Sequence, residues 1–308
     1  MREVRSEDGR RSEDGDAVSV GAGTGSSARS SLNTTIVRSS SLLTPLTSPL
    51  QYWLWTLIVL AGAAIFLAFP GAWGTKAQSV LHGLCAQTPT HTFTFAGNAL
   101  PFDGRMTGIY GGTIITFAWL ALSRRLRYYG NPPKRVIAFL AGCVVAMGVD
   151  GLNSLLKDLG LWHPYPPENV LRLVTGFGTG VALAVILTWL LASSMWNFAR
   201  NKPVVRSFGD LRGVAFGGMI FGTLVLSGWG PLFVPLSALL MASAWLTLTV
   251  LMLVVVLLGL KIDERVSRME DLHVPGAVAA ILGLLAMLAL AGGRFWLERV
   301  VGIPLTPV

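Results

Sequence analysis

The chain has 308 residues, 52% of them hydrophobic and 13% charged, with a net charge of +8. Ordinary soluble domains carry about 25% charged residues, so the composition points to lipid as the solvent. Lys and Arg stand in short clusters between apolar runs, which suits membrane loops and argues against a nucleic-acid partner; the two cysteines, Cys85 and Cys143, form no disulfide framework.

Residues 1–50 are rich in Ser, Gly, Arg and acidic residues, have almost no aromatics, and repeat the pentapeptide RSEDG at 5–9 and 11–15. Such a segment buries too little apolar area to offset its ordering entropy. A disordered cytoplasmic N-terminal segment is therefore expected, followed by a transmembrane domain over 51–308. A secretory signal places its apolar stretch close behind a short basic start. Here the first apolar run begins near residue 52 and is long enough to span, so it reads as an uncleaved anchor.

A helix needs about 20 apolar residues to cross a hydrocarbon core of about 30 Å. The runs that qualify are 52–70, 107–123, 136–156, 173–196, 213–231, 237–260 and 275–293. The second and fifth are Gly-rich and only mildly apolar, whereas the sixth is almost wholly aliphatic and reads as lipid-facing or packing scaffold. Pro70-Gly71 ends the first run, Asn131-Pro132-Pro133 punctuates the turn before the third, and Gly230-Pro231 with Pro235 makes a tight turn before the sixth. Taking connections alternately, one set, with the N-terminal segment, holds 18 Lys and Arg and the other holds 6. The positive-inside bias then predicts an all-α polytopic transmembrane helix bundle of about seven spans, N-terminus in and C-terminus out. Trp53, Trp55, Trp73, Trp162, Trp196, Trp229 and Trp296 fall near predicted ends, as interfacial indoles do.

The connection 71–106 is predicted to face outside and carries His82, Cys85, Gln87, His91, Asp103 and Arg105, leading to Tyr110 in the second span. The third span runs outward to Asp150, Asn153 and Lys157, which share one helical face, and the fourth begins with Asn169 and Arg172, also on one face. Counted from residue 136, Asp150 lies about 21 Å into a core of about 30 Å. An ionised carboxylate there needs a partner or water, and Arg172 is the expected partner. The pair reads either as an architectural ion pair or as part of a wet ligand or proton site.

His82, Cys85, His91 and Asp103 are weak metal candidates, because His-x2-Cys-x5-His matches no closed zinc pattern; solvated histidines and a small buried thiol are the plainer account. Gly176-Phe177-Gly178-Thr179-Gly180 has no preceding strand and lies within a span, so close helix packing explains it better than a nucleotide loop. Gly108-x3-Gly112 and Gly218-x3-Gly222 have the same small-x3-small spacing.

The segments CAQTPTHTF (85–93), LPFDGRMTGIYGG (100–112), DGLN (150–153) and NVLRLVTGFGTG (169–180) together resemble the prokaryotic membrane proteins of domain-of-unknown-function family DUF2085. The resemblance covers residues 80–185, leaving additional helices over 186–308. It implies a shared outer-face site at the matching positions Cys85, Gln87, Arg105, Tyr110, Asp150, Asn169 and Arg172, and a location in the prokaryotic cell membrane. The chain departs from the family pattern in having Ala86 for His, His91 for Arg, and Asp103 and Met106 for two cysteines. It is therefore a divergent member that retains only Cys85 of the family's Cys/His set.

Three functional classes stay open. The first is a membrane protein that binds or transports a small polar or ionic ligand at the outer cluster. The second is a membrane-embedded enzyme acting on a lipid or lipid-linked substrate, with Cys85 as nucleophile and His82 or His91 as base. The third is a structural or assembly factor. The lipid bilayer is the one partner the sequence names; it names no cofactor and no protein partner.

Overall fold

The structure is a computed structural model and describes residues 50–194, 200–259 and 272–302. The expected disordered segment, Trp196, and the basic cluster of Lys261, Arg265 and Arg268 lie outside the described residues. Helices occupy all seven predicted runs: α1 (Leu50–Ala68), α3 (Gly104–Leu122), α4 (Lys134–Asp158), α5 (Asn169–Ser193), α6 (Arg212–Leu226), α7 (Phe233–Gly259) and α8 (His273–Val301). A short helix, α2 (Trp73–Leu81), lies between the first two of these. Among the described residues, five helical segments are long and apolar enough to cross a membrane: α4, α5, Phe208–Leu226, Gly230–Gly259 and α8. The protein is thus an all-α, membrane-type fold.

Two predicted spans fall short of that measure for different reasons. In α1 the apolar stretch is Trp53–Ala68, shorter than those five segments. α3 buries Thr107, Gly108, Gly111, Gly112, Thr113 and Thr116 against neighbouring helices. A helix wrapped by protein needs less apolar surface than one wrapped by lipid, and its Gly and Thr content serves close packing. Large apolar side chains on the outer helices face outward instead, among them Ile65, Val149, Phe216, Met219 and Leu285.

The glycines fix the central packing. A Cβ on Gly108 would stand 2.3 Å from the Leu173 carbonyl oxygen, and one on Gly112 2.4 Å from that of Phe177. Reciprocally, a Cβ on Gly176 would meet the Arg105 carbonyl oxygen at 2.2 Å, and one on Gly180 that of Ile109 at 2.1 Å. Both small-x3-small stripes of α3 and α5 are therefore in backbone contact. The predicted pair on α6 behaves differently: Gly218 receives the Phe177 ring, but nothing stands within 4 Å of a Cβ on Gly222. The aliphatic α7 is scaffold, burying Leu240, Ser243, Ala244 and Thr247, with the Ser243 hydroxyl donating to the Tyr110 carbonyl at 2.6 Å.

Three boundaries differ from expectation. α6 ends at Leu226 rather than 231, because Gly228 takes a left-handed φ of 61° and a 3-10 turn follows at Gly230–Leu232. α7 begins at Phe233, with Pro235 in its first turn, where the missing N–H costs no helical bond. α8 runs past Gly292-Gly293 to Val301 and closes on Gly302 at φ 70°.

The connection 71–106 is structured. After α2, a 3-10 turn (Pro89–His91) leads into an antiparallel hairpin of β1 (Thr92–Phe95) and β2 (Asn98–Asp103). Its two turn residues, Ala96 and Gly97, both have positive φ, matching the twist of a tight hairpin. Phe95, Leu100 and Phe102 enter a core with Leu81, Tyr110, Phe221, Phe233 and Met287, so the hairpin caps one end of the bundle. At the opposite end β3 (Tyr128–Gly130) pairs in parallel with β4 (Arg200–Pro203). There Arg125 donates to Asp210 at 2.9 Å.

Candidate functional site

Polar side chains converge at the hairpin end in two clusters. In the first, α3 supplies Arg105 at its second position, held by the N-cap Asp103, whose carboxylate accepts the Met106 N–H at 2.8 Å. α4 supplies Asp150, Asn153 and Ser154 on one buried face, and α5 supplies Asn169 and Arg172 in its first turn.

Asp150 is 1% exposed and Arg172 3% exposed. The expected pairing of these two is corrected: Arg105 is the ion-pair partner of Asp150, Nη2 to Oδ2 at 2.8 Å, and the Tyr165 hydroxyl donates to Oδ1 at 3.3 Å. Arg172 donates instead to Asn169 Oδ1 at 2.8 Å and to the Ser154 hydroxyl at 3.4 Å. Arg105 reaches the same hydroxyl at 3.2 Å, so Ser154 sits between the two guanidiniums. The packing explains the choice. The Arg105 carbonyl rests on Gly176, one turn above Arg172, which seats Arg105 at the junction of α3, α4 and α5. Asn153 donates to the Tyr165 carbonyl at 2.9 Å and Asn169 to that of Thr90 at 3.3 Å, tying both loops to the cluster.

A cavity of about 330 Å³ opens over this cluster, lined by Thr90, His91, Lys157, Asp158, Pro167, Asn169 and Arg172. His91 Nε2 lies 3.8 Å from the half-exposed Asp158 carboxylate. Burial, followed by the charge of Arg172, holds the His91 imidazole below its ordinary pKa.

The second cluster joins the 82–87 segment to the end of α8. His82 is buried, its Nδ1 donates to Gln87 Oε1 (3.2 Å), and it pairs through Nε2 with Glu298 at 2.9 Å. Its ring stacks on Phe295 at 4.1 Å. Arg294 donates to Glu298 one turn on, to the carbonyls of His82 and Ala86, and in a short contact to that of Cys85. Gln87 has a left-handed φ of 56°, held there by its amide donating to the carbonyls of Gln78 (2.8 Å) and Pro101 (3.1 Å). The Cys85 sulfur accepts the N–H groups of Gln87 and Asp103, each at 3.3 Å.

The sequence candidates thus divide. Arg105, Asp150, Asn169 and Arg172 come together, Cys85 and Gln87 belong to the second cluster, and Tyr110 belongs to neither. Its ring stacks on Phe102 at 4.7 Å within the core. The four weak metal candidates do not converge. His82 faces Glu298, His91 faces Asp158, and Cys85 meets the backbone of Asp103. Among the described residues no three His, Cys, Asp or Glu side chains form a metal-binding group. A nucleophilic Cys85 fits poorly as well, since burial, then the Asp103 charge, pushes its thiol up to about 12, and among the described residues its sulfur meets backbone N–H groups rather than a histidine. Sequence reasoning missed Ser154, Tyr165 and Glu298 as cluster members and used Arg294 only to count charge. Glu298 at i+4 from Arg294 in an otherwise apolar helix was the available signal.

The fold and the paired charges at its end define a helical membrane protein. Within that class the chain belongs to the family DUF2085, described as predicted membrane proteins, whose family profile matches residues 85–186. An uncharacterized protein of Methanothermobacter thermautotrophicus (strain Delta H) is 31% identical over 103 residues, 33% of this chain and 83% of that protein. No solved structure matches the chain. The matched region contains the whole Arg105–Asp150–Arg172 cluster, whereas Arg294 and Glu298 lie beyond it.

Proposed function

We propose that this membrane protein binds a small polar or ionic ligand at the outer end of its bundle, in the cleft beside Arg172 and Asp150. One observation carries the proposal. Arg172, 3% exposed, lines an open cavity of about 330 Å³, and Asp150, 1% exposed, belongs to the same hydrogen-bonded cluster behind it. Ionisable groups at this depth are expensive and concentrate at ligand and ion paths.

In this proposal all seven long helices cross the bilayer, α1 and α3 included, with the N-terminus inside, the C-terminus outside and the cleft on the outer face. The distribution of Lys and Arg supports that orientation. The archaeal relative and the family resemblance support the cell membrane of a prokaryote.

Native mass spectrometry of the detergent-purified chain beside Asp150→Asn tests ligand binding. A small-molecule adduct present in the wild type and lost in the variant is expected. Apo masses throughout, with no thermal shift from a panel of ionic and neutral metabolites, would end the proposal. Reporter fusions test the orientation: a C-terminal reporter found in the cytoplasm overturns it.

A further inference from the structure

We propose that the cleft at Arg172 is an oxyanion site that takes a carboxylate or phosphate group. The inference rests on the ligand-binding proposal above and narrows it to one chemical class.

Its starting point is an imbalance of charge. The buried cluster holds two guanidiniums, Arg105 and Arg172, but one buried carboxylate, Asp150. Both oxygens of that carboxylate are engaged, one by Arg105 and the other by the Tyr165 hydroxyl. Arg172 forms no ion pair among the described residues. A guanidinium carries five N–H donors. Those of Arg172 reach one amide oxygen and one distant hydroxyl, and its buried Nε has no partner. A cation buried this way is unfavourable unless an anion completes it.

The cavity is where that anion would sit. Arg172 and Asn169 line it together with Lys157, His91 and Thr90. Arg172 and Asn169 also lie in the first turn of the 25-residue helix α5, whose N-terminal dipole end favours negative charge. A guanidinium fork opposite a planar or tetrahedral oxyanion gives short, charge-assisted bonds. The one lining carboxylate, Asp158, is half exposed and stands 3.8 Å from His91, too far for a hydrogen bond. Asp158 is thus the negative charge in the cavity wall that opposes an entering anion.

The test uses the full chain in a neutral detergent at constant ionic strength, titrated with sodium phosphate, sodium acetate, choline chloride, glycerol and dihexanoyl phosphatidic acid. Saturable binding of an anion is expected. Lys157→Gln should weaken it and Asp158→Asn strengthen it, each by roughly three- to tenfold for one charge about 5 Å away in a partly wet site. Both residues are exposed, so these variants retain the fold even if Arg172→Gln does not. Binding of free phosphate or acetate identifies a soluble oxyanion, and binding of the phosphatidic acid alone identifies a lipid headgroup; either outcome supports the oxyanion class. Binding of choline or glycerol without any anion overturns that class and leaves the broader ligand proposal standing. No binding of any probe overturns both. Anion binding that neither variant changes removes the site from this cleft.

Discussion

Arg105 of α3 and Asp150 of α4 meet at 2.8 Å, the carboxylate 1% exposed and the guanidinium side chain 24%. Solvent reaches the cation but not the anion. Neutralising Asp150 therefore leaves two buried or half-buried guanidiniums around one hydroxyl. Asp150→Asn should lower stability by about 2–3 kcal/mol, less than for a fully buried pair because Arg105 can hydrate. The double variant Arg105→Met/Asp150→Leu should lose less than the single one. Thermal unfolding of both variants in one detergent checks this, and equal losses would mean the pair is not coupled.

The glycine contacts predict opposite outcomes for chemically identical changes. Gly176→Ala puts a methyl 2.2 Å from the Arg105 carbonyl oxygen and must force α3 from α5, at a cost of more than about 2 kcal/mol. Gly222→Ala meets nothing within 4 Å and should be neutral or gain up to about 1 kcal/mol of helix propensity. Comparing their melting temperatures decides whether the α3–α5 contact is as tight as described.

Cys85 should resist a maleimide at neutral pH in a Cys143→Ser background and react once the protein is unfolded. Its thiol is pushed from an ordinary 9.0 to about 12. The sign follows from the raised value: the folded state holds the proton more tightly, so this contribution is present below pH 9 and fades as pH rises towards 12. Rapid labelling of the native protein at neutral pH would restore the thiolate chemistry set aside above.

Arg294→Ala strips the donor shared by the carbonyls of His82, Cys85 and Ala86. The expected loss is about 1–3 kcal/mol for newly unpaired, part-buried acceptors. Hydrogen exchange should accelerate in residues 82–87 and at the end of α8, while the α3–α5 contact stays protected. Uniform acceleration would show that the α8 tail holds the whole bundle rather than this segment.

His91 provides a pH signature. Burial and Arg172 lower its pKa, Arg105 adds to that, and Asp158 and Asp103 oppose it. A lowered value means the folded state favours the neutral ring, so stability falls as pH drops through the shifted pKa. A bound anion offsets Arg172 and lets the ring take its proton. Stabilisation by sulfate, whose own charge is constant here, should therefore grow as pH falls below about 6.5. The growth should vanish in His91→Gln.

Much of this was legible in one dimension. Hydropathy placed seven of the eight described α-helices within a few residues at most ends, because transfer into lipid is a property summed along a segment. The glycine spacing marked Gly108, Gly112, Gly176 and Gly180 for close helix packing, since only glycine admits backbones that close, but did not say that these two stripes meet each other. Motif order alone pointed to the family and to the end of the bundle where Arg105, Asp150, Asn169 and Arg172 gather.

What the sequence left open was which side chains meet. The sequence pointed Asp150 to Arg172, and its pairing with Arg105 instead depends on how α3, α4 and α5 are rotated about their axes. That rotation is set by glycine contacts in other turns of the helices, outside any local window. The docking of Arg294 and Glu298 on His82 joins residues more than 200 positions apart, a distance at which no periodicity speaks. Segment character is determined by local solvent preference, whereas partner choice is determined by packing of the whole bundle, and the site lives on the second of these.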